Sequence, residues 1–305
     1  MKRISRALVG LAALSLLAGC GPSAAQQSGG DRDELVFAAV PSEESASLQQ
    51  DFQPVLDMLA KETGKKITFQ KATDYAAIIE GQRAGKIDIA KYGPFSYVLA
   101  KQKGVAATAV AGQVEEQGGE PGYTSYAITR PDTGIRSLAD FRGKKVCFVD
   151  PTSTSGYLYP KAGLLKEGIN PDTDVQAIFA GGHDASAIAV AKGDCDAGFA
   201  YDSMVDRQLI EKGQLKPGQL STVWKSATIP GDPVALSDSL DPAVKDKLTA
   251  ALRDKANSDY LRENGFCSGE CKIGDVDGYG FKPVEDSFYD GIREVCATTR
   301  DKQCQ

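Results

Sequence analysis

From Leu35 onward the chain alternates short apolar runs with stretches whose apolar residues recur every three or four positions. Leu35 to Val40 reads as a strand; Leu48, Phe52, Val55, Leu56 and Leu59 then mark one face of a helix that stops before Gly64. The alternation continues through strand Ile67 to Gln70, helix Tyr75 to Ala84 closed by Gly85, strand Ile87 to Lys91, and helix Phe95 to Gln102 closed by Gly104. Strands separated by helices in this way predict a parallel sheet covered on both faces.

A second series starts near Ile135, with strand Val146 to Asp150, a helix after Ser155, strand Val175 to Ala180, a helix after Asp184, strand Ala197 to Tyr201 and a helix through Leu209. Tyr123 to Thr129 and Val223 to Leu236, bordered or interrupted by Gly and Pro, are the strands expected to cross between two α/β lobes and form a hinge. The helix from Pro242 to Asn257 then returns to the first lobe. The expected organisation is a first lobe over 34–126, a second over 127–230, a return to the first over 231–290, and a C-terminal tail over 291–305. A length of about 270 residues suits two lobes better than one core.

Ahead of the fold, Lys2, Arg3 and Arg6 precede an apolar run from Ala7 to Ala18 that is too short to stay across a bilayer. It reads as a signal peptide over 1–20 that closes on Leu17-Ala18-Gly19-Cys20, the form of a bacterial lipobox. Cys20 would carry the lipid and become the mature N-terminus, anchoring the exported chain to the outer face of the cell membrane or its periplasmic side. A plain secretory signal with a chance cysteine is the alternative. Residues 21–33, mostly Gly, Ser, Gln and Asp, form a flexible tether. Losing the signal's three cations takes the formal charge from −6 to −9. That excludes nucleic acid as an expected partner, but not a small anion, because a buried anion site is governed by local donors and helix ends.

The remaining cysteines, Cys147, Cys195, Cys267, Cys271, Cys296 and Cys304, are even in number, as disulfides outside the cytoplasm require. Cys147 and Cys195 lie in or beside neighbouring strands, where a bridge is geometrically possible. Zinc is the competing reading for Cys267 and Cys271, but no second close pair follows, so no metal is expected.

In open α/β sheets ligands bind beyond the carboxyl ends of the strands, which makes those loops the informative ones. Asp150-Pro151-Thr152-Ser153-Thr154-Ser155-Gly156 sets consecutive hydroxyls at a helix start, where unpaired N–H groups and the helix dipole favour an anion. One hydroxyl suffices to cap a helix; a run of them suggests a cradle. Gly181-Gly182-His183-Asp184 presents the only histidine at another strand end, with Asp184 as the expected cap of the next helix. Tyr201-Asp202-Ser203 follows a third strand, and Asp232 stands at the second crossing between Gly231 and Pro233. An ionised aspartate there accepts the P–OH hydrogen of a partly protonated phosphorus oxyanion and disfavours sulfate. Tyr75, Tyr92 and Tyr123 can donate phenol hydrogens while their rings exclude water.

Asp74-Tyr75-Ala76, Asp88-Ile89-Ala90 with Tyr92-Gly93, Pro121-Gly122-Tyr123, Asp150-Pro151 with Ser153-Thr154-Ser155-Gly156, Gly182-His183, and Trp224-Lys225-Ser226 with Ile229-Pro230-Gly231-Asp232-Pro233 together resemble the phosphonate-binding family of periplasmic solute-binding proteins. The likeness spans about Leu35 to Asn257. It implies a type II periplasmic-binding-protein fold with its ligand in the inter-lobe cleft, no cofactor, an ABC permease as partner and a monomer. It casts Ser153, Thr154 and Ser155 with His183 as the oxyanion cradle, Tyr75 and Tyr123 as lids, and Asp232 as the acceptor at the hinge. Aminophosphonate binders of the family carry a further acid after the second lobe's third strand. If Ser203 rather than Asp202 takes that position, phosphite and small alkylphosphonates come ahead of aminophosphonates.

Catalysis is not expected, since no nucleophile elbow, Walker-type or catalytic-metal spacing is present. A protein of the same architecture that binds a sulfonate or a thiamine-precursor pyrimidine is the rival reading.

Overall fold

In the computed structural model, residues 32–304 apart from 44, 270, 272 and 275–277 are described. The signal peptide, Cys20 and the tether up to residue 31 lie outside the described residues. The first lobe begins with β1 (Glu34–Ala39), α1 (Ser45–Thr63), β2 (Lys66–Phe69), α2 (Tyr75–Arg83), β3 (Ile89–Lys91), α3 (Pro94–Gln102) and β4 (Ala107–Val114). Leu48, Phe52, Val55, Leu56 and Leu59 of α1 are all buried, with Phe52 set against Phe37 and Phe69, as the 3.6-residue spacing requires. After β5 (Gly122–Tyr123), the second lobe holds β6 (Ser125–Thr129), β7 (Lys145–Phe148), α4 (Tyr159–Lys166), β8 (Gln176–Phe179), α5 (His183–Lys192), β9 (Ala197–Tyr201), α6 (Leu209–Glu211) and β10 (Ser221–Lys225). In its core Phe148 stacks on Phe199, which Trp224 meets edge-on.

The chain returns through β11 (Ile229–Pro230) to β12 (Pro233–Ser237), α7 (Pro242–Ala250), α8 (Ser258–Glu263), β13 (Gly280–Pro283) and α9 (Asp290–Thr299). The sheets run β13-β4-β12-β3-β1-β2 and β10-β6-β9-β7-β8, with β5 and β11 forming a two-stranded ribbon between them. The expected purely parallel sheets are therefore mixed. The crossing chain enters each sheet from the opposite direction, so β12 runs antiparallel to β3 and β4, and β6 antiparallel to β9. Each expected crossing strand is also broken: Tyr123 to Thr129 into β5 and β6, and Val223 to Leu236 into β10, β11 and β12. Pro230 and Pro233 cannot donate to a ladder, and at Gly231 a Cβ would lie 2.2 Å from the Gln113 carbonyl oxygen.

Disulfides join Cys147 to Cys195, Cys267 to Cys271 and Cys296 to Cys304. The first spans neighbouring strand segments with Cα atoms 5.9 Å apart, and the second takes the pair for which zinc competed. The tail is not an appendage. α9 packs between α3 of the first lobe and α4 of the second, and the fully buried Asp301 holds Lys161 of α4 at 2.8 Å.

Candidate functional site

The loops at the carboxyl ends of β1, β3, β7, β8 and β9 converge on a cavity between the lobes. Its walls enclose little free space, which suits a ligand of few atoms.

One wall is the turn after β7. Asp150 accepts from the Thr152 amide and hydroxyl, both at 2.7 Å, and bends the chain into a π-helical turn, Thr154–Leu158, that runs on into α4. Ser153 is the cap of this turn, its Oγ accepting the Gly156 N–H at 3.1 Å. A side chain at Gly156 would put its Cβ 2.3 Å from that of Val149. Thr154 Oγ1 accepts the N–H of Phe95, at the head of α3 in the other lobe, at 2.9 Å. Tyr123 hydrogen-bonds with the Ser155 and Thr154 side chains. Burial, reinforced by the charge of Asp232, holds the Tyr123 phenol well above its ordinary pKa, so it is a neutral donor.

His183 begins α5, capped by Gly182; Asp184, the expected cap, is the second residue of that helix. The His183 N–H donates to the Ser42 carbonyl across the cleft at 2.7 Å. Its Nδ1 accepts the Tyr201 N–H at 3.3 Å, and in the neutral ring this tautomer puts the proton on Nε2 as a donor. Tyr75, which follows the cap Asp74 at the start of α2, closes the first-lobe side.

Asp232 lines the same cavity, with a partner that sequence spacing did not suggest: Lys91 Nζ lies 2.7 Å from its Oδ2. The lysine is fully buried and Asp232 nearly so. Carboxylate and ammonium thus form a neutral pair at the cavity wall.

Two expected residues stand elsewhere. β3 alternates, so Lys91 faces Asp232 while Tyr92 turns into the first-lobe core, donating to Gln82 Oε1 at 2.9 Å and packing on Tyr97. Asp202, with Ser203, borders a separate recess beside Glu115, Tyr126 and Asp206, where burial raises its pKa. Ser42, Tyr201 and Lys91 were not anticipated. Ser42 and Tyr201 occupy strand ends of the same kind as His183, and the buried Ser42 Oγ has no protein hydrogen-bond partner. Lys91 is a charge closing the apolar strand Ile89-Ala90-Lys91, which implies a buried counter-charge.

The family model of ABC-transporter phosphonate periplasmic substrate-binding proteins matches residues 37–273. The phosphate-import protein PhnD of Mycolicibacterium smegmatis is 49% identical over 282 residues, which cover 90% of this chain and 88% of that protein. The crystal structure of a binding-protein component of an ABC phosphonate transporter from Pseudomonas aeruginosa superposes with TM-score 0.77 at 28% identity, covering 88% and 86% of the two chains. PhnD1 from Prochlorococcus marinus, solved in complex with methylphosphonate, shares the fold with TM-score 0.75 at 18% identity, covering 88% and 99%.

Proposed function

The chain belongs to the phosphonate-binding family of ABC-transporter periplasmic substrate-binding proteins, and from that membership we propose that it captures a small phosphorus oxyanion, inorganic phosphate foremost, and delivers it to a membrane permease. The observation that carries this reading is the convergence of Thr154, Ser155, Tyr123 and His183, all neutral donors, on one small cavity that also presents Asp232. Such donors bind an oxyanion without the cost of desolvating a free cation. A carboxylate has acceptor capacity beyond the oxygen that Lys91 engages, so Asp232 can take the hydrogen of a P–OH group. Sulfate, which has no such hydrogen, meets acceptor against acceptor.

Lipidation of Cys20 would hold the protein beside its permease. Incorporation of labelled fatty acid by the expressing cell, lost in Cys20→Ala, tests the anchor. Calorimetric titration with phosphate, phosphite, methylphosphonate and sulfate tests the ligand class. Phosphorus oxyanions should bind and sulfate should bind at least about tenfold more weakly; tightest binding of sulfate, or of an uncharged ring, would refute the reading.

A further inference from the structure

We propose that Lys91 sets the ligand specificity of the site by standing in for a ligand's ammonium group, so that phosphorus oxyanions bearing an amine are rejected. This rests on the ligand class proposed above and narrows it.

Asp232 is the one acid among the described residues lining the cavity; the rest are hydroxyls, phenols, an imidazole, a glycine and Val40. A ligand carrying an amine next to its phosphonate would have only this carboxylate to neutralise the amine. Lys91 Nζ is already there, 2.7 Å from Oδ2, on a side chain with no exposure. A second ammonium at Asp232 would face the first across a single carboxylate, where little water screens the repulsion. Asp202 and Asp206 offer no substitute, because they border the separate recess with Tyr126. Burying an ion pair is costly and gives little stability over an apolar pair. Here its effect is local: it cancels the charge of the cavity's acid while leaving that acid as a hydrogen-bond acceptor. Lys91 does not line the cavity and acts through Asp232, as a positioning residue.

Calorimetry with methylphosphonate and 2-aminoethylphosphonate, ligands that differ by the amine-bearing extension, tests the proposal. The native protein should bind methylphosphonate at least about tenfold more tightly. In Lys91→Met, which exposes the Asp232 charge to the cavity, that preference should shrink or invert by about tenfold or more. Mere structural damage would weaken both ligands alike and leave their ratio in place. A folded Lys91→Met protein with the native ratio overturns the proposal. So does a native protein that binds the two ligands equally, a result that needs no variant to fold. Native protein that binds neither phosphate nor methylphosphonate refutes the broader ligand reading instead, and the specificity proposal with it.

Discussion

Thr154 Oγ1 on the second lobe accepts the Phe95 N–H from the first lobe at 2.9 Å, so one hydroxyl of the proposed anion cradle also ties the two lobes together. Replacing Thr154 by Val keeps the shape and removes that acceptor, leaving a buried N–H without a partner. The loss should be about 1–3 kcal/mol, and it falls on the closed form. Phosphate should bind roughly five- to 150-fold more weakly by calorimetry; unchanged affinity would show that the contact does not contribute to closure.

Ser155→Ala and Asp232→Asn should separate binding from stability. Each removes a hydrogen bond to a charged ligand and should weaken binding by roughly 1.5–3 kcal/mol. Only Asp232→Asn also breaks the buried ion pair with Lys91, at a stability cost of about 3–5 kcal/mol. Denaturant unfolding without ligand reads this directly, and equal stability of the two variants would contradict the buried pair.

Alkali should unfold the protein early. Burial holds the phenols of Tyr92, Tyr97, Tyr123 and Tyr289 above their ordinary pKa. Burial alone would lower the Lys161 pKa, but hydrogen bonds to Asp301 and Asp172 raise it. For all of these groups the folded value exceeds the unfolded one, near 10 for Tyr and 10.4 for Lys. Their contribution is complete below about pH 10 and is lost as pH rises through the folded values. The urea midpoint should therefore fall between about pH 8 and about pH 11. A midpoint constant over that interval would count against these burials.

Among the bridges, Cys147–Cys195 should matter most, because it spans 48 residues whereas the other two span 4 and 8. Replacing both of its cysteines by Ala should cost about 2–5 kcal/mol. Thermal unfolding should show a larger drop than for Cys267 and Cys271 replaced together, and the reverse order would contradict the chain-entropy account.

Much of the candidate site was legible because Gly, Pro and hydroxyl clusters mark strand ends, and strand ends are where such folds bind. Tyr75, Tyr123, Ser153 to Ser155, His183 and Asp232, read from five separate segments, share one cavity. The Lys91–Asp232 pairing was not legible: Lys91 in an apolar strand calls for a counter-charge, but the acid that supplies it lies 141 positions away and nothing in the sequence singles it out as the partner. Tyr92 was misplaced because the face it takes depends on where β3 ends. β4, Ala-Thr-Ala-Val-Ala-Gly-Gln-Val, escaped because alanine and glycine give weak strand signals. Ser42 follows Pro41 as a lone hydroxyl, without the run that singled out Ser153 to Ser155.

The most direct test of the account is the crystal structure of the protein grown with inorganic phosphate. The phosphorus should lie between the lobes, its oxygens within hydrogen-bond reach of Thr154, Ser155, Tyr123 and His183 and one P–OH on Asp232. Phosphate bound outside this cleft, or a cleft left empty at saturating phosphate, would contradict it.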